Sequence, residues 1–404
     1  MSNPNNVSLN INHDLEFIDG HALTIPTLSI LTEDGDIHPS ATAPTISKHT
    51  AIKLYETMRF IRLLDERMQG AQRQGRVSFY MQCLGEEAAV TASAAALDQD
   101  DMIMAQYREQ AALHYRGFTL DQFMNQMFSN ELDLGKGRQM PIHYGSKELN
   151  YMTISSPLGT QIPQATGYAY GQKVKHIDAK TGELASTIDN VTICYFGEGA
   201  ASEGDFHAGL NMAAVHKAPV IFFARNNGYA ISTPADEQFK GDGIASRGVG
   251  YGIKTIRVDG SDALAVFAAT QKAREIAATH GEPVLIESIA YRLGAHSTSD
   301  DPSGYRSKDE EATHKVCPID KFKKWLIKQE WLNEEDDAKA KDTIREDILA
   351  ALKRAEKVQK PALEELISDV YDTPIPSLER QYNDLKAHIK QHPNAYPITA
   401  GRIK

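Results

Sequence analysis

The stretch that decides the fold runs from Val191 to Ala230, VTICYFGEGAASEGDFHAGLNMAAVHKAPVIFFARNNGYA. An apolar run, Val191 to Phe196, stops at Gly197-Glu198-Gly199, and a helix-like stretch with small residues follows. A second apolar run, Pro219 to Ala224, ends at Arg225-Asn226-Asn227-Gly228-Tyr229. An acidic residue between two glycines and a pair of asparagines therefore sit at the C-terminal ends of two consecutive strands. In an open α/β sheet those ends line the ligand crevice. Glycines let backbone approach a phosphate, and the helix N-terminus beyond them favours anions. A carboxylate and an amide oxygen are hard ligands suited to a magnesium ion that bridges phosphates. Gly-Glu-Gly alone also fits a tight strand-to-helix turn. The paired asparagines one helix and one strand later turn the reading to a metal-diphosphate site.

Outward from this stretch the alternation continues. Residues 191–196, 219–224, 253–258 and 284–290 read as strands, and helices fall near 205–216 and 263–279, the second opened by Asp262 and closed by Gly281. This is the βαβ rhythm of an α/β fold with a doubly wound, mostly parallel sheet. Upstream, Leu54, Met58, Ile61, Leu64 and Met68 form one helical face over 50–70, which Gly70 and Gly75 end. Residues 86–97 are Ala-rich and helix-like, and Asp121 can cap a helix running to Asn130. Residues 172–190 read as a polar surface excursion. After about 310 the chain turns charged, with helical apolar spacing at Ile344, Ile348, Leu349 and Leu352. Three segments are expected: an extended arm over 1–45, packed on a neighbour or without fixed structure; an α/β domain over 46–310; and a helical C-terminal extension over 311–404.

Composition narrows the function. A net charge of −11 over 404 residues gives no basic face for nucleic acid. No apolar run approaches the ~20 residues of a membrane helix. Cys83, Cys194 and Cys317 are sparse and odd in number, which fits a reducing compartment, with Cys194 a buried small hydrophobe in a strand. Residues 1–46 hold no Lys or Arg and six acidic residues from Asp14 to Asp36. That start resembles neither a secretory signal nor an Arg-rich transit sequence, so a bacterial cytoplasmic protein is the expectation, with a processed organellar protein of the mitochondrial matrix as the alternative.

Gly-Glu-Gly closed by Asn-Asn resembles the thiamine diphosphate motif, with Glu198 where most of that superfamily has Asp. Seven ordered segments sharpen the likeness: RQGRVSFYMQCLG (73–85), AQYRE (105–109), DLGKGRQMPIHYG (133–145), TISSPLGTQIPQ (153–164), GEGAASEGD (197–205), RNNGYAISTP (225–234) and YRLGAHSTSDDPSGYRS (291–307). Together, over roughly residues 45 to 400, they resemble the alpha subunits of branched-chain 2-oxo acid dehydrogenases. Ser202-Glu203 and Ala295-His296-Ser297 depart from the related pyruvate dehydrogenase pattern.

The resemblance implies thiamine diphosphate and Mg²⁺, with Glu198, Asn227 and the Tyr229 carbonyl as magnesium ligands. Gly199 and Ala200 offer backbone to the diphosphate, Arg225 pairs with a phosphate oxygen, and Tyr107 and Arg108 are further diphosphate ligands. Ser156 and Leu158 touch the cofactor. His296 faces the reacting centre, where an imidazole can move protons, and His143 is a second candidate. Arg292, Asp300, Tyr305 and Arg306 order the 296–307 loop. Ser297 and Ser307 match serines phosphorylated in mitochondrial relatives, and no such control is expected in a bacterial host. Ser155, Pro157, Thr160 and Gln161 match positions that hold K⁺; Gly159 stands where relatives have Ala, which leaves that ion open. Phe79 and Tyr107 could wall a branched acyl chain or be ordinary core aromatics.

This family takes the glutamate that assists the aminopyrimidine ring from a separate domain, and no second strand-helix series follows residue 310. The resemblance therefore implies a beta subunit in an α2β2 heterotetramer that donates its acyl group to a lipoyl-bearing acyltransferase core. The implied reaction is oxidative decarboxylation of 3-methyl-2-oxobutanoate and its leucine- and isoleucine-derived counterparts. Alternatives are a pyruvate or acetoin dehydrogenase subunit and a non-catalytic binding subunit on the same fold. A serine hydrolase built on Ser297, His296 and Asp300 fails on spacing, because no nucleophile elbow is present.

Overall fold

A computed structural model describes residues 13–314 and 316–396. Residues 1–12 of the expected arm and 397–404 of the expected C-terminal extension lie outside the described residues. The described strands are β1 (Thr27–Leu28), β2 (Met102–Met104), β3 (Tyr151–Met152), β4 (Thr192–Gly197), β5 (Val220–Asn226), β6 (Tyr229–Ala230), β7 (Thr233–Pro234), β8 (Lys254–Asp259) and β9 (Val284–Ile289). β6 and β7 form a small antiparallel pair. The other seven form one sheet in the order β1-β8-β9-β5-β4-β2-β3, parallel at every pairing.

Side-chain alternation explains why β4 and β5 sit at the centre. Successive residues of a strand point to opposite faces. Ile193, Tyr195, Ile221 and Phe223 enter one core, while Cys194, Phe196, Val220, Phe222 and Ala224 enter another. Both faces are covered, so these strands read as continuous apolar runs rather than alternating ones. The helices Gln161–Val174 and Gly204–His216 cover the second face through Ile162, Ala165, Phe206 and Leu210. The helices Lys48–Arg73, Glu87–Ala95 and Ala263–His280 cover the first.

Part of the expected arm, around residues 27–31, packs on this chain's own sheet. β1 adds to the edge of this chain's own sheet, with Thr27 opposite Arg257. The cause is Asp262. One carboxylate oxygen caps its helix by accepting from Leu264 N at 3.0 Å and Ala265 N at 3.1 Å. The other accepts from Ile30 N and Leu31 N, both at 2.6 Å. Two further boundaries move. The first helix runs through Gly70 to Arg73, and Thr119 rather than Asp121 caps the helix Leu120–Met127, through a capping box with Gln122.

C-terminal helices Pro318–Lys328 and Glu334–Ala355 join the main core through Phe322, Trp325, Leu326, Ile348 and Leu352. A buried carboxylate docks them. Asp337, 2% exposed, accepts from Tyr55 OH at 2.9 Å and pairs with Arg59 at 2.5 Å and Lys323 at 3.0 Å. Burial opposes ionisation of Asp337, but hydrogen bonds from Lys323, Arg59 and Tyr55 outweigh it and hold the carboxyl far below its usual range. A depressed carboxylate stabilises the fold above its unfolded pKa and loses that contribution as pH falls. Asp337→Asn should therefore cost about 3 kcal/mol at pH 7. The gap in thermal midpoint from wild type should narrow as pH is lowered below about 4. Equal midpoints at pH 7 would refute this.

Candidate functional site

Parallel pairing brings the C-terminal ends of four strands to one edge. Gly197 lies opposite Arg225, and Asn226 opposite Ile289. The segments that follow β2, β4, β5 and β9 carry Gln106 to Glu109, Glu198 to Ala200, Asn227 to Tyr229 and Tyr291 to His296. They surround a cavity of about 580 Å³. Of the residues expected from sequence, Phe79, Tyr107, Arg108, His143, Ser156, Leu158, Glu198, Gly199, Ala200, Arg225, Asn227, Tyr229, Arg292 and His296 all line it. Ser155, Pro157, Thr160 and Gln161 do not; they form the turn and helix start just behind Ser156.

The expected cation ligands are adjacent. Asn227 N donates to Glu198 Oε2 at 3.3 Å, and Tyr229 N donates to Asn227 Oδ1 at 3.3 Å. Glu198 is 2% exposed, and burial, with Glu86 nearby, raises its carboxyl above the usual range. A buried carboxylate in that state gains from a cation beside it. Among the described residues no group of three or more His, Cys, Asp or Glu side chains is placed to hold a metal. The set expected from sequence is instead one carboxylate, one amide oxygen and the Tyr229 carbonyl, which here accepts from Arg292 Nη1 at 3.0 Å; donors of that kind are hard and suit Mg²⁺. Gly199 is needed for packing, since a Cβ there would lie 2.9 Å from Ala230 Cβ.

Beneath the cavity lies a buried charge cluster. Arg225 Nη1 pairs with Glu86 Oε2 at 2.5 Å, and its Nε lies 2.6 Å from Glu109 Oε1. Arg225 Nη2 is buried without a hydrogen-bond partner. That nitrogen is the guanidinium donor left without a protein partner. Arg108 donates to the main-chain oxygens of Gln82 and His296, the second at 2.7 Å. Glu109 Oε2 accepts from Gln106 N and Tyr107 N at 2.9 and 2.8 Å, and Gln106 Oε1 accepts from Gly197 N at 2.6 Å. Glu86, Glu109 and Gln106 were not among the residues expected from sequence. Gln106 and Glu109 stand in the same segment as Tyr107 and Arg108, and Glu86 directly follows Gly85.

His296 lies against the Tyr107 ring at 6.1 Å, edge to face. Burial first, then Arg108 and Arg292, lower its pKa to about 3, so the ring is neutral at physiological pH. Arg108 Nη2 is 3.3 Å from His296 Nδ1 and can only donate, which places the ring proton on Nε2. Asp300 Oδ2 accepts from the His296 main-chain N at 2.7 Å and from Tyr305 OH at 2.6 Å. Those bonds order the loop. Asp300 is bound to the His296 main chain rather than to its ring, and Ser297 Oγ accepts from Ser299 N, so no hydrolase triad forms. His143 Nδ1 faces the Pro141 carbonyl at 3.1 Å, so Nε2 accepts from Ser156 Oγ at 2.9 Å. Behind Ser156, Thr160 Oγ1 donates towards Pro157 O at 3.1 Å, and Gln161 Nε2 is held by Tyr195 O at 3.1 Å. Phe79, Met81, Met140, Ile142 and Leu158 make part of the cavity wall apolar.

Comparison with known proteins agrees with this geometry. The family model "Dehydrogenase E1 component" matches residues 55–364. The chain is 48% identical over 387 residues to 2-oxoisovalerate dehydrogenase subunit alpha 1, mitochondrial, of Arabidopsis thaliana, covering 95% of this chain and 80% of that one. It is 49% identical to the mitochondrial alpha subunit of Dictyostelium discoideum (93% and 83% covered) and 46% identical to that of Homo sapiens (95% and 84%). The expectation of a bacterial cytoplasmic protein is overturned: these relatives are mitochondrial proteins of eukaryotes. The absence of Lys and Arg over residues 1–46 was a weak guide to compartment. With the site's geometry and these matches over most of its length, the chain belongs to the dehydrogenase E1 component family.

Proposed function

We propose that this chain is the alpha subunit of a 2-oxoisovalerate dehydrogenase. With a beta subunit in an α2β2 assembly it decarboxylates 3-methyl-2-oxobutanoate and the leucine- and isoleucine-derived 2-oxo acids. The acyl group passes to lipoyl-lysine of an acyltransferase core, whose disulfide is the oxidant. Thiamine diphosphate supplies the carbanion chemistry when bound. One observation carries the reading. A hard-oxygen cation set, an arginine with an unpaired buried nitrogen, a neutral histidine and an apolar wall share one cavity at the sheet's C-terminal edge.

In this reading Glu198, Asn227 and the Tyr229 carbonyl hold Mg²⁺. Arg108, Arg225 and the Gly199–Ala200 backbone take the diphosphate, with Tyr107, Ser156 and Leu158 beside it. A potassium ion on Ser155, Pro157, Thr160 and Gln161 belongs to the same proposal. His296 holds a proton at Nε2 towards the reacting centre. Phe79, with Met81 and Ile142, excludes water around a branched acyl chain.

The chain co-expressed with its beta subunit should reduce dye with thiamine diphosphate and Mg²⁺, faster with 3-methyl-2-oxobutanoate than with pyruvate. Activity confined to pyruvate would move the reading to a pyruvate dehydrogenase subunit. Glu198→Ala should leave assembly intact and cut turnover by more than the roughly 10–100-fold typical of losing an outer-shell metal partner. Unchanged turnover would mean a non-catalytic binding role.

His296 gives a pH prediction. A depressed histidine pKa means the neutral ring stabilises the fold above its unfolded pKa, near 6.5, and that contribution is lost as pH falls. Between pH 5 and 8 the folded ring does not titrate. His296→Ala should lower kcat roughly 100-fold or more, without removing any acidic limb of the kcat/KM profile near pH 6.5. Loss of such a limb in the variant would show that the ring titrates there.

A further inference from the structure

Glu86 directly precedes the helix Glu87–Ala95, and its carboxylate makes no cap hydrogen bond. It is fully buried and reaches towards the cavity instead. Oε1 accepts from Asn227 Nδ2 at 2.8 Å, and Oε2 accepts from Arg225 Nη1 at 2.5 Å. Gly85 makes the reach possible. It sits at φ +93°, and a Cβ there would lie 2.1 Å from the Tyr291 carbonyl, so only glycine lets this segment press against the exit of β9.

An ionised carboxylate accepts hydrogen bonds and cannot donate them. Glu86 stands between two guanidiniums, with Arg225 Nη1 at 2.5 Å and Arg108 Nε at 4.0 Å, the geometry of an ion pair whose carboxylate oxygens accept. The Asn227 amide can therefore meet Glu86 only through its nitrogen. Its oxygen is turned the other way, where Tyr229 N donates to it at 3.3 Å. A flipped amide would set a carbonyl against a carboxylate and two donors against each other.

We propose that Glu86 is a positioning residue: it fixes the Asn227 amide with its oxygen towards a divalent cation shared with Glu198, and it holds Arg225 by Nη1 so that Nη2 is left for an anion. This rests on the cation-diphosphate reading given above. One carboxylate thereby sets the metal side and the anion side of the cavity together.

The test uses the chain assembled with its beta subunit and stripped of metal and cofactor. Mn²⁺ is titrated in the presence of thiamine diphosphate, and the free ion is read by electron paramagnetic resonance. Glu86→Gln offers one acceptor for two donors, so Mn²⁺ affinity should fall roughly 10–100-fold, together with a lowered thermal midpoint, because the buried Arg225 loses one of its two counter-ions. In the double variant E86Q/N227D donor and acceptor exchange sides. The introduced amide donates to the introduced carboxylate, net charge is preserved, and most of the lost affinity should return. Wild-type affinity in E86Q overturns the proposal, as does a double variant as weak as the single one. If E86Q fails to assemble while the double variant assembles and binds Mn²⁺, the orientation argument stands. If neither assembles, Glu86 is a scaffold residue and the proposal falls. A wild-type assembly that takes up no Mn²⁺ overturns the cation reading itself, a result distinct from all of these.

Discussion

Arg225 carries a full positive charge at the end of the central strand with 1% of its surface exposed. An unpaired ion there would cost far more than the fold could supply, so the surroundings must neutralise it. Glu86 and Glu109 do so from two different segments, one before a helix and one after β2. Each carboxylate then has a second oxygen to spend. Glu109 spends it on the amides of Gln106 and Tyr107, and Glu86 on Asn227. A single guanidinium thus ties the segments after β2 and β5, and that before the helix Glu87–Ala95, into one floor. The shape of the cavity follows from charge balance as much as from sheet topology.

The same logic runs through the neighbouring asparagine. Asn226 donates through Nδ2 to Glu287 at 2.9 Å, and Glu287 also accepts from Ile244 N, Ala245 N and Arg257 Nε. The two asparagines at the end of β5 therefore each anchor an amide nitrogen on a buried glutamate, one towards the sheet edge and one towards the cavity. Paired amides serve here because each supplies a donor for an anchor and an acceptor for a second task.

Much of this was legible in the sequence. The four strands expected at 191–196, 219–224, 253–258 and 284–290 appear within two residues at each end. Long apolar runs bounded by glycine or asparagine are strong signals. β2 and β3, at three and two residues, are too short to show a period, and β1 owes its place to Asp262, more than 230 residues away. The helix Gln161–Val174 was missed because Pro163, Gly167 and Gly171 break its pattern, although proline in a first turn costs the helix nothing. Motif residues that face the cavity were found because their chemistry is explicit. Glu86 and Glu109 escaped because a glutamate's role as a buried counter-ion depends on which arginine the fold brings to it.

Local preference also misleads where the site demands strain. Ile142 and Ile231 sit at φ +69° and +57°, a region that β-branched residues avoid, and both line the cavity. Each such backbone costs of order 1–3 kcal/mol and persists only where its surroundings over-determine it. Gln126 clamps the first, accepting from Ile142 N at 3.0 Å and donating to Met140 O at 2.6 Å. Arg292 holds the second by donating to Ile231 O at 2.6 Å. These clamps fix Ile142 next to His143 and tie the turn between β6 and β7 to the strand exit that leads to His296. Among the described residues the two β-branched side chains at positive φ both stand in the walls of this cavity, where sequence-local rules fail because the tertiary hydrogen bonds that override them come from elsewhere in the chain.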